Sequence, residues 1–156
     1  MQLKASIDYG LRAILYLAAQ GTTCSSKDIA NDMSIPRDYL IQLAQLLRNA
    51  GLIEARPGKN GGYSLAKDPS GISVLQIVMA LDEDSKHSMH DKRSSRQGGE
   101  VVRNVEQTYD LIEDSFDAYL DSLTVDALLN CAQDAEHAES YLADRLENES
   151  LRLAAR

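Results

Sequence analysis

The sequence predicts a mainly α-helical fold with one small β-hairpin, and two observations support this. Residues 36–50 repeat apolar side chains with a 3.6-residue period and end at Gly51, a residue suited to a helix C-cap. Two short strand-like runs, 52–53 and 63–65, then flank the basic, glycine-rich turn 57–62. Helix, turn, helix and hairpin in this order is a winged helix-turn-helix, whose second helix typically enters the major groove of DNA.

Three helices are predicted before the hairpin, which forms the wing. Helix 1 spans about residues 5–20, and its predicted buried face holds Leu3, Ile7, Leu11, Ile14, Leu15 and Ala18. Ser25 and Asp28 form an S-x-x-D capping box, which opens a short helix over residues 27–33. Helix 3 opens near Pro36, and its predicted apolar face holds Leu40, Leu43, Ala44, Leu47 and Ala50.

A fourth helix and a long helical arm are predicted after the wing. Ser73 and Gln76 form a second capping box, which opens a helix that ends near Leu81. Residues 82–99 are polar and without period, as in a functional or disordered loop. A coiled-coil seam of about 2.5 heptads follows, at Val102, Val105, Tyr109, Ile112, Phe116 and Tyr119. Thr124 is expected to cap one last helix, whose apolar stripe contains Leu128, Ala132, Ala135, Ala138, Leu142 and Leu146.

These elements divide the chain into three predicted regions. Residues 1–82 form a winged helix-turn-helix DNA-binding domain, residues 83–99 a loop and candidate sensor region, and residues 100–156 dimerisation and C-terminal helices. The seam could pack on the winged domain of its own chain. We favour a homodimer interface because helix 1 and the helix at Ser73 already cover so small a domain. The predicted dimer contacts are Val105, Tyr109, Ile112, Phe116 and Tyr119.

The charge distribution is compatible with DNA binding although the net charge is −8. Residues 1–80 carry 8 Lys/Arg against 6 Asp/Glu, whereas residues 81–156 carry 8 against 18. Phosphate contact requires local rather than total positive charge. No apolar run is long enough to span a membrane, no signal peptide is apparent, and Cys24 and Cys131 form no disulfide framework. A cytoplasmic protein without membrane association is therefore expected.

Several segments together resemble the IscR/NsrR/CymR (Rrf-two) family of bacterial winged-helix regulators. The residues that match are Tyr39-Leu40 with Gln42-Leu43, Leu47 to Ile53, Gly61 to Ala66, Ile72 to Val78, and Ala80 to Glu83. The resemblance covers roughly residues 1–83, and the long helix more loosely. It implies a homodimer that places the start of helix 3 in the major groove of double-stranded DNA and the wing in the minor groove.

The positions that the resemblance assigns to DNA contact hold residues of suitable chemistry. On helix 3 they are Arg37, Asp38, Tyr39 and Gln42, and on the wing they are Arg56, Lys59 and Asn60. Glutamine can read adenine, tyrosine can hold a phosphate, and arginine favours a narrow minor groove. The start of helix 2 could hold a further phosphate, through Ser25, Ser26 and Lys27. For each side chain the alternative is plain solvent exposure.

The sequence departs from many such relatives at a cofactor site. Those relatives hold an iron–sulfur cluster with three cysteines in the loop after the Ala-Leu-Asp-Glu run, and this loop has none. We therefore expect neither a cluster nor another cofactor, in either a cluster-free member of the family or an altered chain whose ligands were replaced. We interpret Asp8, which matches a cluster-ligand position of some relatives, as a solvated residue. The pair His87-x-x-His90 could bind one divalent metal ion, although solvated histidines are the simpler interpretation.

Each of the two cysteines has a sensing or a packing interpretation. Cys24 precedes helix 2, whose N-terminus could lower the thiol pKa and make a redox switch, although a plain, partly buried cysteine is the simpler interpretation. Cys131 is expected to pack in the core or the dimer.

The function expected from these observations is that of a dimeric transcription regulator, a repressor, that binds a pseudo-palindromic operator. The alternatives are a winged-helix protein-interaction module and a metal- or redox-responsive regulator. An enzyme is not expected, because the sequence shows no phosphate-cradling glycine motif, nucleophile–base set or paired-carboxylate pocket.

Overall fold

A computed structural model describes residues 4–82 and 99–155. Its helices are α1 (Ala5–Gln20), α2 (Ser26–Asp32), α3 (Arg37–Asn49), α4 (Val74–Leu81), α5 (Glu100–Ser122), α6 (Val125–Gln133) and α7 (Ala135–Ala154). Strands β1 (Ile53–Arg56) and β2 (Gly62–Leu65) pair antiparallel, with Ile53 opposite Leu65 and Arg56 opposite Gly62. A 3₁₀ turn, Pro69–Gly71, precedes α4. The predicted mainly α-helical fold with a small β-wing is confirmed.

The helix-turn-helix core is built on the predicted apolar faces of α1 and α3, with two changes. On α3, Leu40, Leu43, Ala44 and Leu47 are buried, whereas Ala50 is exposed because it is already the C-cap. On α1 the buried face is centred on Ile7, Gly10, Ala13, Ile14 and Leu17. The observed face is therefore rotated from the predicted one: Leu11, Leu15 and Ala18 are only partly buried, and Leu3 lies outside the described residues.

Capping side chains fix where the helices begin and end. The predicted capping residues Ser25, Ser73 and Thr124 accept the backbone N–H groups of residues 28, 76 and 127, at 3.2–3.3 Å. Helix α3 ends in a Schellman motif, in which Leu52 N–H donates to Leu47 O and Gly51 N–H to Arg48 O. Gly51 has a φ of 70°, a conformation that a side chain would strain.

The C-terminal helices differ from the single last helix that was predicted. The chain breaks at Asp134, which has an extended backbone and whose carboxylate accepts the N–H groups of residues 136 and 137. Asp134 thus opens α7, which packs back along α5. The predicted apolar stripe did not reveal this break because small and apolar residues continue through it.

The winged domain and the end of α5 are joined by a short antiparallel bridge. Val74 N–H donates to Leu123 O at 2.8 Å, and Val125 N–H donates to Ile72 O at 2.9 Å. The Ser73 hydroxyl in the same bridge also donates to the Asp121 carboxylate at 2.8 Å. Val125 is fully buried in the core that α1, α3 and α4 form, so α6 begins inside the winged domain.

None of the residues of helix α5 is buried in the core. At about 1.5 Å per residue, its 23 residues extend roughly 35 Å. The predicted seam residues Val105, Tyr109, Ile112 and Phe116 are exposed and Tyr119 is half-buried. Among the described residues, packing within the same chain therefore leaves most of the predicted seam exposed.

Candidate nucleic-acid interface

The wing is fixed to the segment that leads into α2. The backbone of Cys24 exchanges two hydrogen bonds with Tyr63 of β2, at 2.9 and 2.8 Å. Gly62 has a φ of 154°, and a Cβ there would collide with the Cys24 carbonyl oxygen, so this close approach requires glycine. The wing and the start of α2 therefore hold a defined relative position.

The start of α2 is in turn connected to α3. The Ser25 hydroxyl caps α2 and also donates to the Asp28 carboxylate at 2.7 Å. The neighbouring Ser26 hydroxyl accepts a hydrogen bond from Arg37 Nε at 3.3 Å. This bond places the guanidinium of Arg37 beside the α2 N-terminus, on the side of α3 that faces the wing.

Between α2, α3 and the wing lies a groove of about 580 Å³, called here the basic groove. Its lining residues are Ser25, Ser26, Arg37, Ile41, Arg48, Ala55, Arg56, Pro57, Gly58, Lys59, Gly61, Gly62 and Tyr63. Four of them are cationic, and none of these lining residues is acidic. Four cations in a lining that contains no acidic residue give a local field suited to a polyanion, within a chain whose net charge is −8.

Tyr39 and Gln42 line a separate concavity on the other flank of α3, called here the α1-side hollow. It is lined by Lys4, Ser6, Tyr39, Ile41, Gln42, Leu43, Gln45, Leu46, Leu81 and Asp82. Tyr39 is half-buried and packs edge-on against Tyr9 at 5.9 Å between ring centroids. The Tyr39 ring is therefore held by α1, whereas Gln42 is exposed.

The predicted DNA contacts thus fall into three groups. Ser25, Ser26, Arg37, Arg56 and Lys59 line the basic groove, and Tyr39 and Gln42 line the α1-side hollow. Lys27, Asp38 and Asn60 are exposed but line neither concavity.

Arg48 and Ile41 also line the basic groove and were not predicted from the sequence. Arg48 lies in the last turn of α3, beyond the expected contacts, and a basic residue there is usually explained by the helix dipole. Ile41 carried no signal because an apolar residue in a helix suggests the core.

The thiol of Cys24 does not have the lowered pKa that the redox interpretation requires. Its residue is 7% exposed, and its Sγ donates to the Thr22 carbonyl oxygen at 3.5 Å. Burial raises the pKa of the Cys24 thiol, and the charge of Asp28 raises it further. The prediction that the helix N-terminus lowers the pKa of Cys24 was wrong, because Cys24 lies before the N-cap and its thiol is desolvated.

Cys131 is partly buried on α6.

Residues 4–82 and 99–155 contain no group of three histidine, cysteine or acidic side chains arranged to hold a metal ion. The predicted pair His87 and His90 lies outside the described residues. The Asp8 carboxylate pairs with the Arg12 guanidinium at 2.8 Å.

Within the same described ranges, no helix is long and apolar enough to cross a membrane.

Comparison with known proteins identifies relatives that share this architecture. The Rrf2 family, described as iron-dependent transcriptional regulators, matches residues 3–131. The structure of T. potens IscR is 29% identical, covers 86% of this chain and 90% of its own, and has a TM-score of 0.68. CymR, the global cysteine regulator of B. subtilis, is 27% identical over 83% of this chain and 97% of its own, with a TM-score of 0.66. CymR of Staphylococcus aureus is 30% identical over 81% and 96%, with a TM-score of 0.61.

The iron named in the family description raises the question of an iron–sulfur cluster. Such clusters are held by about four ligands, mostly cysteine thiolates. The chain has two cysteines. Cys24 is buried beside the wing with a raised pKa, and Cys131 lies on α6. These residues do not fit a cysteine-ligated cluster.

Proposed function

Because the chain belongs to the Rrf2 family of transcriptional regulators and is a DNA-binding regulator, we propose that it is a homodimeric cytoplasmic repressor of a pseudo-palindromic operator. The observation that supports this most directly is the basic groove. Its four cations lie between the two elements that contact DNA in winged helix-turn-helix proteins, the second helix of the motif and the wing.

The basic groove is suited to the phosphate backbone rather than to base edges. Arg37, Arg56 and Lys59 converge there with Arg48, and Ser25 and Ser26 present the N-terminus of α2 on the same wall. Phosphate oxygens are bound by such cations, hydroxyls and helix N-termini. We therefore assign one DNA strand to the groove, with α3 on its major-groove side and the wing tip on its minor-groove side.

Base reading is assigned to the exposed side chains on the first two turns of α3. Asp38 and Gln42 are exposed there, and the Tyr39 hydroxyl can hold a phosphate while its ring rests on Tyr9. On the wing, Asn60 is exposed at the tip and Lys27 is exposed at the start of α2. These polar residues form the edge of the proposed contact around the basic groove.

Dimerisation is assigned to α5 and α7. A shallow apolar hollow between them is lined by Thr108, Leu111, Ile112, Ser115, Phe116, Tyr119 and Leu146. Single exposed apolar residues are normal, but contiguous apolar patches on a monomer usually mark an interaction site. The occupant we propose is the same surface of a second copy. This surface extends the predicted seam to Leu111 and Leu146, and two copies would present two α3 helices to two half-sites.

The salt dependence of DNA affinity tests the role of the basic groove. A duplex would first be enriched from a random-sequence pool with the wild-type protein. Arg48→Gln and Lys59→Gln should each weaken binding to all duplexes and reduce the slope of log K against log salt by about 0.9 for each phosphate that the variant no longer neutralises. Lys67→Gln is the matched control, because this exposed lysine lies beside a different hollow, near Asn49 and Met79.

Two results would count against the proposal. If no duplex were enriched, the alternative of a winged-helix protein-interaction module would be favoured. If Lys59→Gln changed which bases are preferred, the wing lysine would be a base contact instead of a phosphate contact.

A metal-responsive regulator is the second candidate, because the matching family is described as iron-dependent. We propose that DNA binding requires no iron–sulfur cluster, and that any metal response involves a single divalent ion at His87 and His90. Anaerobically purified protein should show neither cluster absorbance nor stoichiometric sulfide. Calorimetric titration with Zn²⁺ should show binding that a His87→Ala/His90→Ala variant loses; equal binding by both proteins would reject these ligands.

A further inference from the structure

Ile41 is an exposed apolar residue on the face of α3 where the basic groove and the α1-side hollow meet. It is 43% exposed, whereas Leu40, Leu43 and Leu47 of the same helix are buried in the core. Its position on the second turn of α3 lies among the residues that contact base edges in helix-turn-helix proteins. The core does not account for Ile41, because the side chain points away from it.

The geometry of α3 places Ile41 between its two functional flanks. At about 100° per residue, Arg37 and Arg48 lie within about 40° of Ile41 on one side, and Gln45 lies about 40° away on the other. Consistent with this, Ile41 lines both the basic groove and the α1-side hollow. Ile41 therefore lies between the cations of the basic groove and the side chains assigned to base reading, Asp38 and Gln42.

The apolar side chain of Ile41 restricts which chemical groups of DNA it can recognise. An isoleucine side chain has no hydrogen-bond donor or acceptor, so it gains nothing from a phosphate oxygen or from a polar base edge. The C5-methyl group of thymine is the apolar group displayed in the major groove, and it is read by apolar contact. We infer that Ile41 packs against a thymine methyl group in each half-site. This inference rests on the proposed DNA-binding function and adds a specificity-determining residue to it.

Removal of single thymine methyl groups tests the contact. The probe is the duplex enriched with the wild-type protein, in which each thymine is replaced in turn by deoxyuracil. Loss of the contacted methyl should reduce wild-type affinity about 4-fold per half-site, since burial of one such group is worth about 0.8 kcal/mol. Ile41→Ala should lose a similar amount on the unmodified duplex and should no longer respond to deoxyuracil at that position.

The matched control is Met79→Ala, which shortens another exposed apolar residue, 36% exposed, on α4. This variant should retain both the wild-type affinity and the deoxyuracil response.

Three results would overturn the inference while leaving DNA binding intact. The first is a wild-type affinity that does not change when deoxyuracil replaces any thymine, and the second is an enriched duplex without thymine in its half-sites. The third is an Ile41→Ala variant whose affinity falls as much as that of the wild type when deoxyuracil replaces the same thymine. In the last case another residue would make the methyl contact, and Ile41 would be left as a protein-docking residue or a plainly exposed one. A failure to enrich any duplex would instead reject the proposed function itself.

Discussion

Substitution of Phe116 by aspartate should convert the proposed dimer into a monomer. Phe116 is 50% exposed and lines the hollow between α5 and α7. A fully buried aromatic side chain removes about 150–250 Å² from water, so dimerisation can bury roughly 100 Å² more of this one. At about 25 cal/mol per Å², that area contributes about 2.5 kcal/mol per protomer and about 5 kcal/mol per dimer.

The expected effect on association is therefore large. Because about 1.4 kcal/mol corresponds to a tenfold change in Kd, loss of this burial alone should weaken the dimer by three to four orders of magnitude. The unpartnered aspartate in an apolar interface weakens it further. Sedimentation velocity or light scattering over a concentration series measures the change. Ile112→Asp, at a residue that is 58% exposed in the same hollow, should act in the same way.

The result also has a consequence for DNA. A monomer presents one α3, so affinity for a two-half-site operator should fall while affinity for a single half-site remains. Met79→Asp is the control, because it adds the same charge at an exposed apolar residue on α4. If Phe116→Asp and Ile112→Asp both remained dimeric at low concentration with unchanged thermal stability, the assignment of this hollow to self-association would be refuted.

Three further predictions concern other parts of the molecule. Gln42→Ala should lower operator affinity by about 1–3 kcal/mol in a gel-shift titration, and unchanged affinity would move base reading elsewhere on α3. Tyr39→Ala should also weaken binding, because it removes the proposed phosphate contact and the ring that packs on Tyr9. The hydrogen bond to Asp32 raises the pKa of Tyr16 to about 12. Stability should therefore decline as pH rises from the ordinary tyrosine pKa of about 10 toward 12, a decline that Tyr16→Phe should remove in alkaline denaturation curves. Asp134→Ala should destabilise the start of α7 by about 0.5–2 kcal/mol, and an unchanged melting temperature would show that its cap bonds contribute nothing.

Local signals in the sequence predict most of the winged domain. Helix starts at Ser25, Ser73 and Thr124 follow from capping chemistry that acts within three residues, and the end of α3 follows from Gly51. These features need no tertiary information because both hydrogen-bonding partners are near in sequence.

Features that depend on packing were not predictable in the same way. The basic groove includes Arg48 because β1 and β2 fold back beside the last turn of α3, which brings together residues of three separate elements. The rotated face of α1 depends on which helices pack against it, and the break at Asp134 is hidden within an uninterrupted apolar pattern. The pKa of Cys24 depends on burial beneath the wing rather than on its distance in sequence from α2.

The bridge between residues 72–74 and 123–125 has a consequence for how such a regulator can diversify. It connects the beginning of α4 directly to the end of α5 through two backbone hydrogen bonds, both of which lie within residues 72–74 and 123–125. Because neither bond involves residues 83–98, we expect changes in the length or composition of that segment to leave this connection between α4 and α5 intact.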